Sequence, residues 1–317
     1  MAVPQRDDER FRQLVEKHQR ELRVHCYRLL GSLQDAEDLT QETLLRAWRS
    51  LDSYAGRASL RAWLYRIATN ACLDEIDRRG RRLLPVMLGA PQPTFVPTPP
   101  VPAETPWLDP LPDAWLDVAD TAPGPDARYE AKESIELAFI AALQRLPGRQ
   151  RAVLLLRDVL GWSVPEIVGA LDLSTAAANS LLQRARTTLG KPNTAMVERL
   201  SAAEERALVE RYVHAWEHGD EHEFVSLLKE DARQSMPPLP EWYLGIEAVA
   251  TFFRWAVSAD APGPYRLVPT RANGSPAFGI YARGERFVLN VVEADAAGIA
   301  SMTSFMNTEL FGFFNLA

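Results

Sequence analysis

Apolar residues recur at steps of three and four through positions 11–49, which is the period of amphipathic helices. The stretch "GSLQDAED" carries signals for one helix to end and the next to begin. In the second helix, Glu42 and Arg46 have the spacing at which an ion pair supports a helix. The charged side comprises Asp35, Asp38, Glu42, Arg46 and Arg49, and the apolar stripe comprises Ala36, Leu39, Thr43, Ala47 and Trp48. This helix therefore offers a charged face to solvent or to a partner.

A third helix is predicted from Ser59, a suitable N-cap, to Arg82. One face is apolar, and another is lined by Arg66, Asn70, Asp74, Asp77 and Arg78, with Arg79, Arg81 and Arg82 at the end. Guanidinium groups on such a face can bind phosphates while an amide reaches base edges. The alternative is a solvated face with ion pairs inside the helix. Tyr54, Trp63 and Tyr65 could stack on unpaired bases, although Trp63 fits a core position equally well.

Proline changes the pattern between residues 83 and 127, which hold 12 of the 23 prolines. An extended, polyproline-like linker is favoured there. Its apolar residues are too many for an inert tether and predict a docking segment; they are Trp107, Leu108, Leu111, Trp115 and Leu116.

Helical periodicity returns over residues 128–191 and ends in two short helices joined by a tight turn at Asp172 and Leu173. Ser163 with Glu166 forms a predicted capping box, and Ser174 is a second N-cap. This is the outline of a helix-turn-helix, although a plain helical hairpin in a bundle has the same pattern. The second helix is predicted to turn its apolar residues inward: Ala178, Leu181, Leu182, Ala185 and Leu189. The residues left to enter a DNA groove are Thr175, Ala176, Asn179, Ser180, Gln183 and Arg184, and Arg186 is left to bind phosphate.

The last segment, 200–317, begins with helical patterns and continues with alternating, strand-like runs such as "PAFGIYARG" and "RFVLNVVEA". That order predicts an α+β domain with a sheet wrapped around one long helix.

Charge is divided unevenly along the chain, whose formal net charge is -7. Residues 1–82 carry 16 basic and 13 acidic side chains and residues 128–191 carry 9 and 6, so both helical segments are net positive. The linker has six acids and no Lys or Arg. Because nucleic-acid affinity depends on local basic surface, the acidic total does not exclude DNA binding.

The composition predicts a cytoplasmic protein without a membrane span or a secretory signal. Cys26 and Cys72 lie in apolar helical patterns and are predicted to be buried thiols. No metal site and no cofactor are expected.

Two long stretches resemble a known family. "GSLQDAEDLTQETLLRAWRSLDSYAGRASLRAWLYRIATNACLDEIDRRGRR" is similar to region 2 of sigma-70 factors of the extracytoplasmic-function (ECF) group, and "LPGRQRAVLLLRDVLGWSVPEIVGALDLSTAAANSLLQRARTTL" is similar to their region 4. The linker with "WLDPLPDA" and the added C-terminal domain resemble the members that end in a SnoaL-like (polyketide-cyclase-like) domain, whose marks here are "HAWEHGD", "MPPLPEWYLGIEAVATFF" and "GIASMTSFM".

The resemblance implies a multidomain fold. Two all-α domains, sigma region 2 at 10–82 and the helix-turn-helix of region 4 at 128–191, are joined by the Pro-rich acidic linker 83–127. A cone-shaped α+β domain resembling nuclear transport factor 2 follows at 200–317.

The resemblance also implies partners: core RNA polymerase, through its β′ coiled coil and β flap, and promoter DNA. The residues at matching positions for polymerase docking are Asp35, Asp38, Leu39, Glu42 and Arg46. For the −10 element, Asn70, Arg78 and Arg79 match the family's contact helix, and the loop 53–58 matches the part that receives a flipped base. The pattern of the helix itself adds Trp63 and Arg66 as −10 candidates. Those for the −35 element are Thr175, Asn179, Ser180, Gln183, Arg184 and Arg186.

The −35 helix departs from the family pattern. "DLS" replaces the usual Gly-Val or Gly-Met turn followed by Ser, and Asn179 stands where Lys or Arg is frequent. We therefore expect a weaker grip on phosphate and a −35 preference that cannot be copied from relatives.

Two interpretations apply to the C-terminal domain: an enzyme or a regulatory module. An enzyme would need a general acid or base in its pocket, and the candidates are Tyr212, His214, Asp231, Trp242, Tyr243 and Arg271, none singled out by a motif. Tyr212 also fits a core position. A regulatory module that contacts the sigma domains or polymerase, with a small apolar ligand as a further candidate partner, is the favoured reading. For the whole chain, the alternative to a sigma factor is a helix-turn-helix regulator with a ligand-sensing C-terminal domain, or a sigma factor fused to an enzyme.

Overall fold

The computed structural model describes residues 8–51, 54, 59–95, 106–116, 135–190 and 200–316, with side chains from residue 16 onward. The chain divides into two compact units. Unit 1 comprises Met1–Arg82 and Ala114–Pro192, and unit 2 comprises Leu83–Asp113 and Asn193–Ala317. Within the described ranges, no helix is both long enough and apolar enough to cross a membrane.

Unit 1 begins with three helices: α1 (Asp8–Leu30), α2 (Leu33–Ser50) and α3 (Leu60–Arg79). The side chain of Ser32 caps α2 by accepting from the Asp35 N–H at 3.3 Å, and Ser59 caps α3, as predicted, through the Ala62 N–H at 3.1 Å. The apolar stripes of the three helices pack together around Leu22, Leu29, Leu33 and Leu64. Both cysteines are free and buried in this core, which confirms that prediction.

The second part of unit 1 contains α4 (Leu137–Gln144), α5 (Gly148–Leu154), a π-helical segment Leu155–Val159, α6 (Val164–Leu171) and α7 (Thr175–Leu189). The Glu166 carboxylate accepts from the Ser163 N–H at 2.7 Å, and the Ser174 hydroxyl accepts from the Ala177 N–H at 3.1 Å. Between α6 and α7, Asp172 adopts φ 50 and ψ 54, a left-handed conformation that Asp tolerates better than most residues. The predicted helix-turn-helix is confirmed.

The two helical parts of unit 1 contact each other. Arg151 of α5 is fully buried and donates to the carbonyl oxygen of Leu29, at the end of α1, and to Gln144 Oε1 at 2.7 Å. A Cβ on Gly148 would lie 3.2 Å from side-chain atoms of Ile76 and Leu73, so glycine permits α5 to approach α3 closely. Sequence periodicity gives no sign of either contact, because both join residues far apart in the chain.

Buried His25 links α1 to α3 and is expected to make unit 1 sensitive to acid. Its Nε2 is 2.8 Å from Thr69 Oγ1, and burial, reinforced by Arg28 and Arg61, lowers its pKa from 6.5 to about 3. The unfolded chain therefore binds a proton below pH 6.5 that the folded chain does not, so stability is complete above pH 6.5 and decreases as the pH falls toward 3. Between pH 6.5 and 5 the expected loss is about 2 kcal/mol.

Urea unfolding at pH 7 and pH 5 measures this dependence. In His25→Gln, where an amide retains a hydrogen-bonding group but does not titrate, the difference between the two pH values should shrink by about that amount. Exposed His222 provides the control, since His222→Gln should leave the difference unchanged. An equal pH dependence in wild type and His25→Gln would contradict the assignment.

Unit 2 contains α8 (Ala202–His218), α9 (Glu221–Ser226), α10 (Ile246–Ala256) and α11 (Leu310–Phe313). Its strands are β1 (Leu228–Ser235), β2 (Trp242–Leu244), β3 (Tyr265–Ala272), β4 (Ser275–Ala282), β5 (Glu285–Asp295) and β6 (Gly298–Phe305). They form one open sheet in the order β2-β1-β6-β5-β4-β3, in which β1 and β6 are parallel and the other neighbours antiparallel. This is the predicted α+β architecture.

An aromatic core fills the space between the helices and the sheet. Tyr212 of α8 stacks on Phe278 of β4 with ring centroids 5.0 Å apart, and Phe224 stacks on Phe253 at 4.1 Å. Phe95 from the linker joins this core, with its ring centroid 4.9 Å from that of Trp255. One residue of the linker thus belongs to the core of the C-terminal domain.

The linker residues 83–95 and 106–113 pair with both edges of the sheet. Gln92 forms a β-bridge with Tyr243 on β2, and Pro112 forms one with Ala272 on β3. Of the apolar linker residues expected to dock, Leu111 accepts a hydrogen bond from the Asn273 N–H of the C-terminal domain at 2.8 Å, whereas Trp115 belongs to unit 1, where the Arg23 guanidinium lies 3.9 Å from its ring centroid. The stretch predicted as one linker is divided between the units after Asp113, and residues 96–105 and 117–127 lie outside the described part.

Candidate nucleic-acid interface

Helix α3 carries a line of exposed polar residues along one side. Arg66, Asn70, Asp74 and Asp77 are all exposed, at the spacing of consecutive turns. Within the described residues, no ion pair or hydrogen bond engages the side chains of Arg66 and Asn70. A guanidinium and an amide that need not break another contact can bind a phosphate or a base edge at little cost.

The arginines at the end of α3 are held by carboxylates instead. Arg78 forms three hydrogen bonds to Glu75, at 2.8 to 3.0 Å, so the alternative of ion pairs inside the helix holds for this residue. Arg79 contacts Glu75 and lies 2.8 Å from Asp35, and Arg82 lies 2.6 Å from Asp35. Arg78 and Arg79 remain exposed and could exchange a carboxylate for a phosphate.

Trp63 is half-buried, and its ring centroid is 5.1 Å from that of Tyr54. Tyr65 is buried against His25, and burial raises the pKa of its hydroxyl far above its usual range. Of the three aromatic residues predicted to stack on bases, Tyr65 thus packs inside unit 1. The rest of the loop 53–58 lies outside the described residues.

The residues of α2 that are predicted to dock on polymerase differ in their exposure to solvent. Asp35 is only 7% exposed, because it faces α3 and pairs with Arg79 and Arg82. Asp38 and Arg46 are exposed, whereas Leu39 and Glu42 are half-buried; the expected Glu42–Arg46 ion pair forms at 2.8 Å.

Leu45 is 50% exposed on α2, one residue before Arg46. Sequence analysis missed this residue as a contact candidate. The signal was an apolar side chain outside the stripe formed by Leu39, Thr43 and Trp48. An exposed leucine beside a charged pair is suited to a protein partner.

Helix α7 presents its predicted DNA face to solvent. Ala178, Leu182 and Ala185 are buried as predicted, and Leu181 and Leu189 are half-buried. The residues predicted for the −35 element are all exposed: Thr175, Asn179, Ser180, Gln183, Arg184 and Arg186. Arg186 pairs with Asp158 at 2.6 Å, so its charge is partly neutralised before any phosphate is bound.

The catalytic candidates of the C-terminal domain do not form one site. Tyr212 is buried, and its hydroxyl donates a hydrogen bond to Asn290 Oδ1 at 3.1 Å. Burial raises the pKa of this hydroxyl. His214 and Asp231 are exposed. A surface pocket of about 280 Å³, lined by residues that include Arg266 and Tyr281, contains none of the six candidates.

The other three catalytic candidates, Trp242, Tyr243 and Arg271, contact the linker. The Trp242 indole N–H donates to the Gly89 carbonyl at 2.8 Å, and the Tyr243 ring is 5.4 Å from that of Phe95. Arg271 donates to the Asp113 carboxylate at 3.1 Å, and the same carboxylate accepts from the Gly274 N–H at 2.8 Å. Residues that sequence analysis proposed for a reaction thus bind a segment of the same chain.

Comparison with family models defines the class of protein. The model for sigma-70 region 2 matches residues 14–82, that for sigma-70 region 4 matches residues 136–189, and that for a SnoaL-like domain matches residues 209–299. These regions follow one another in the order expected of a sigma factor with an added C-terminal domain.

Individual relatives identify the family. Over 309 residues the chain is 45% identical to the ECF RNA polymerase sigma factor SigG of Mycobacterium tuberculosis, covering 95% of this chain and 82% of SigG. It is 32% identical to the RNA polymerase sigma factor NccH of Alcaligenes xylosoxydans xylosoxydans, over 58% of this chain and 87% of NccH. The chain belongs to the ECF group of the sigma-70 family, which confirms the resemblance inferred from sequence.

A solved structure has the same fold. The crystal structure of the M. tuberculosis ECF sigma factor SigJ aligns with a TM-score of 0.63 and 23% identity, covering 96% of this chain and 99% of SigJ. The predicted fold class, two helical sigma domains followed by an α+β domain, is confirmed.

Proposed function

We propose that this chain is an alternative sigma factor that binds core RNA polymerase, directs it to specific promoters and assists melting of the −10 element. The observation that carries the proposal is the pair of exposed polar faces on α3 and α7, in a chain 45% identical to an ECF sigma factor along nearly its whole length. No enzymatic activity is assigned to it.

For promoter contact, Asn70 and Arg66 are the leading residues for the −10 element. Their side chains are exposed and engaged by no described partner. Trp63 is available for stacking beside them, and Arg78 and Arg79 bind backbone phosphate after exchanging their carboxylate partners. On α7, the small and amide side chains Thr175, Asn179, Ser180 and Gln183 suit base edges, and Arg184 and Arg186 suit phosphate.

For polymerase contact, the docking face comprises Asp38, Leu39, Glu42, Leu45 and Arg46. Leu45 adds an apolar anchor to a charged face. Asp35 acts indirectly, because its buried carboxylate fixes the end of α3 against α2.

Promoter binding requires unit 1 to open. The −10 and −35 elements are separated by roughly 25 base pairs, or about 85 Å at 3.4 Å per pair. A compact unit of this size has a radius of gyration of about 15 Å. The contacts of Arg151 and Gly148 that join the two sigma regions must therefore break before both elements are bound.

The C-terminal domain is proposed to regulate initiation by holding the linker. Support comes from the Asp113–Arg271 ion pair, the Trp242–Gly89 hydrogen bond and the burial of Phe95. In the family, this linker threads through the polymerase. A linker held on the sheet edges is not free to do so.

Runoff transcription with purified core polymerase on genomic promoter fragments tests the proposal. Wild type should support initiation. Asn70→Ala should bind core polymerase normally but initiate about tenfold less or worse, since an amide contact to a base contributes about 1–3 kcal/mol. The double variant Asp38→Ala/Glu42→Ala should instead lose affinity for core polymerase.

The two variants separate the two interfaces, so each serves as the control for the other. If wild type binds duplex DNA alone yet never supports initiation, a helix-turn-helix regulator is the better account. Unchanged polymerase affinity in the Asp38→Ala/Glu42→Ala variant would remove the proposed docking face.

A further inference from the structure

Histidines are concentrated at one turn of the C-terminal domain. The chain has five, and three of them lie between residues 214 and 222, where α8 ends and α9 begins. Gly219 ends α8 in a left-handed conformation, and Asp220 caps α9 by accepting from the Glu223 N–H at 2.9 Å. This tight turn brings the last turns of α8 against the first turn of α9.

The turn places an imidazole and two carboxylates together. His214 Nδ1 is 2.9 Å from Glu223 Oε2, and one potential ligand atom from each of His214, Asp220 and Glu223 lies within 4.8 Å of the other two. His214 is exposed and the two acids are half-buried, so an ion can enter from solvent. Neither the promoter contacts nor the linker contacts use these three residues.

We propose that His214, Asp220 and Glu223 form a binding site for a divalent first-row transition-metal ion, with Zn²⁺ as the best match. One nitrogen and two oxygen ligands suit Zn²⁺, whose bonds to both atom types are about 2.0–2.2 Å. In a tetrahedral shell such ligand atoms are about 3.4 Å apart, so small side-chain rotations close the site. A water molecule would fill the fourth position.

His218 lies beside the ligand group without belonging to it. It follows His214 by one helical turn, and the two rings stack with centroids 4.3 Å apart. Its Nδ1 bonds to the His214 carbonyl at 3.0 Å, which leaves Nε2 as the atom that can bind an ion. Two histidines at this spacing on one helix face are a common arrangement for zinc.

Arg211 limits the affinity of this site for a cation. Its guanidinium lies 3.1 Å from Glu223 Oε1, so it orients the carboxylate but also opposes a cation. The ion replaces the hydrogen bond between His214 Nδ1 and Glu223, and the neutral imidazole keeps its one proton on Nε2. Replacing Arg211 by Gln is therefore expected to increase the affinity for zinc severalfold, the opposite of the effect of removing a ligand.

Calorimetric titration of the tag-free, chelator-treated full-length chain with Zn²⁺ at pH 7 tests the proposal. Wild type should bind one ion at this site, His214→Ala and Glu223→Gln should each weaken binding at least tenfold, and zinc should raise the melting temperature of wild type but not of His214→Ala. The matched control is His222→Ala, which removes an exposed histidine outside the ligand group and should bind within twofold of wild type.

Three results would overturn the proposal: no saturable binding by wild type, undiminished binding by both ligand variants, or an equal loss in His222→Ala. Circular dichroism of the metal-free variants checks that each is folded. Because the measurement uses neither polymerase nor promoter, its outcome is independent of the function proposed above.

Discussion

Replacing Phe95 by Ala is expected to release residues 83–95 from the C-terminal domain. Phe95 is 8% exposed and contacts the rings of Tyr243, Phe252 and Trp255 at centroid distances of 4.9 to 5.4 Å. Truncating a buried phenylalanine costs about 3–5 kcal/mol. Since Phe95 belongs to the linker, most of this free energy is lost from linker docking. A loss of about 3 kcal/mol lowers the equilibrium constant for docking roughly a hundredfold.

Hydrogen exchange at the Gln92 amide measures the release, because this N–H donates to the Trp242 carbonyl at 2.8 Å in the docked state. Exchange should become up to a hundredfold faster in Phe95→Ala. Leu88→Ala is the matched control: Leu88 lies in the same segment but is 43% exposed, and its loss should cost less than about 0.5 kcal/mol. Equal exchange in wild type and Phe95→Ala would show that Phe95 does not anchor the linker.

Asp35→Asn is expected to destabilise unit 1 by about 3 kcal/mol. The Asp35 carboxylate is buried and holds Arg79 at 2.8 Å and Arg82 at 2.6 Å. Breaking a buried ion pair by removing one partner costs about 3–5 kcal/mol, and the lower figure applies because Arg79 is half-exposed and also contacts Glu75. Arg82, at 19% exposure, accounts for most of the loss.

Urea unfolding of wild type, Asp35→Asn and Asp38→Asn gives the comparison. Asp38 is three residues away on the same helix, but among the described residues its exposed carboxylate bonds only to Gln34, so its loss should change stability by less than about 0.5 kcal/mol. In an Arg82→Ala background, Asp35→Asn should cost less than it does alone, because the Asp35–Arg82 ion pair is already absent. Equal losses for both aspartates would show that the ion pairs do not stabilise unit 1.

Periodicity and capping residues were enough to predict the helices of unit 1 and the helix-turn-helix, because those signals are local. The buried side of α7 and the Glu42–Arg46 pair followed from spacing alone. The burial of Asp35 did not, since its partners lie 44 and 47 residues along the chain and a charged residue beside exposed charges looks solvated.

The linker also shows that local sequence patterns do not identify long-range contacts. In the described parts of the linker there is no long helix or strand, as its prolines predict, but nothing in the linker sequence identifies the surface on which Phe95 and Leu111 pack. Single β-bridges at Gln92 and Pro112 leave no periodic signature. The contacts of Trp242, Tyr243 and Arg271 with the linker were not foreseen for the same reason: aromatic and basic residues suit a peptide ligand as well as a reaction.

Because the linker and the sheet belong to one chain, docking is an intramolecular equilibrium. Its strength depends on an effective concentration set by residues 114–192, which connect the linker to the rest of unit 2. A separate molecule that competes for the same sheet edges must be present near that concentration or bind far more tightly. If RNA polymerase binds the linker itself, it competes with docking directly, and each factor by which docking is strengthened lowers the apparent affinity of polymerase for the sigma factor by the same factor.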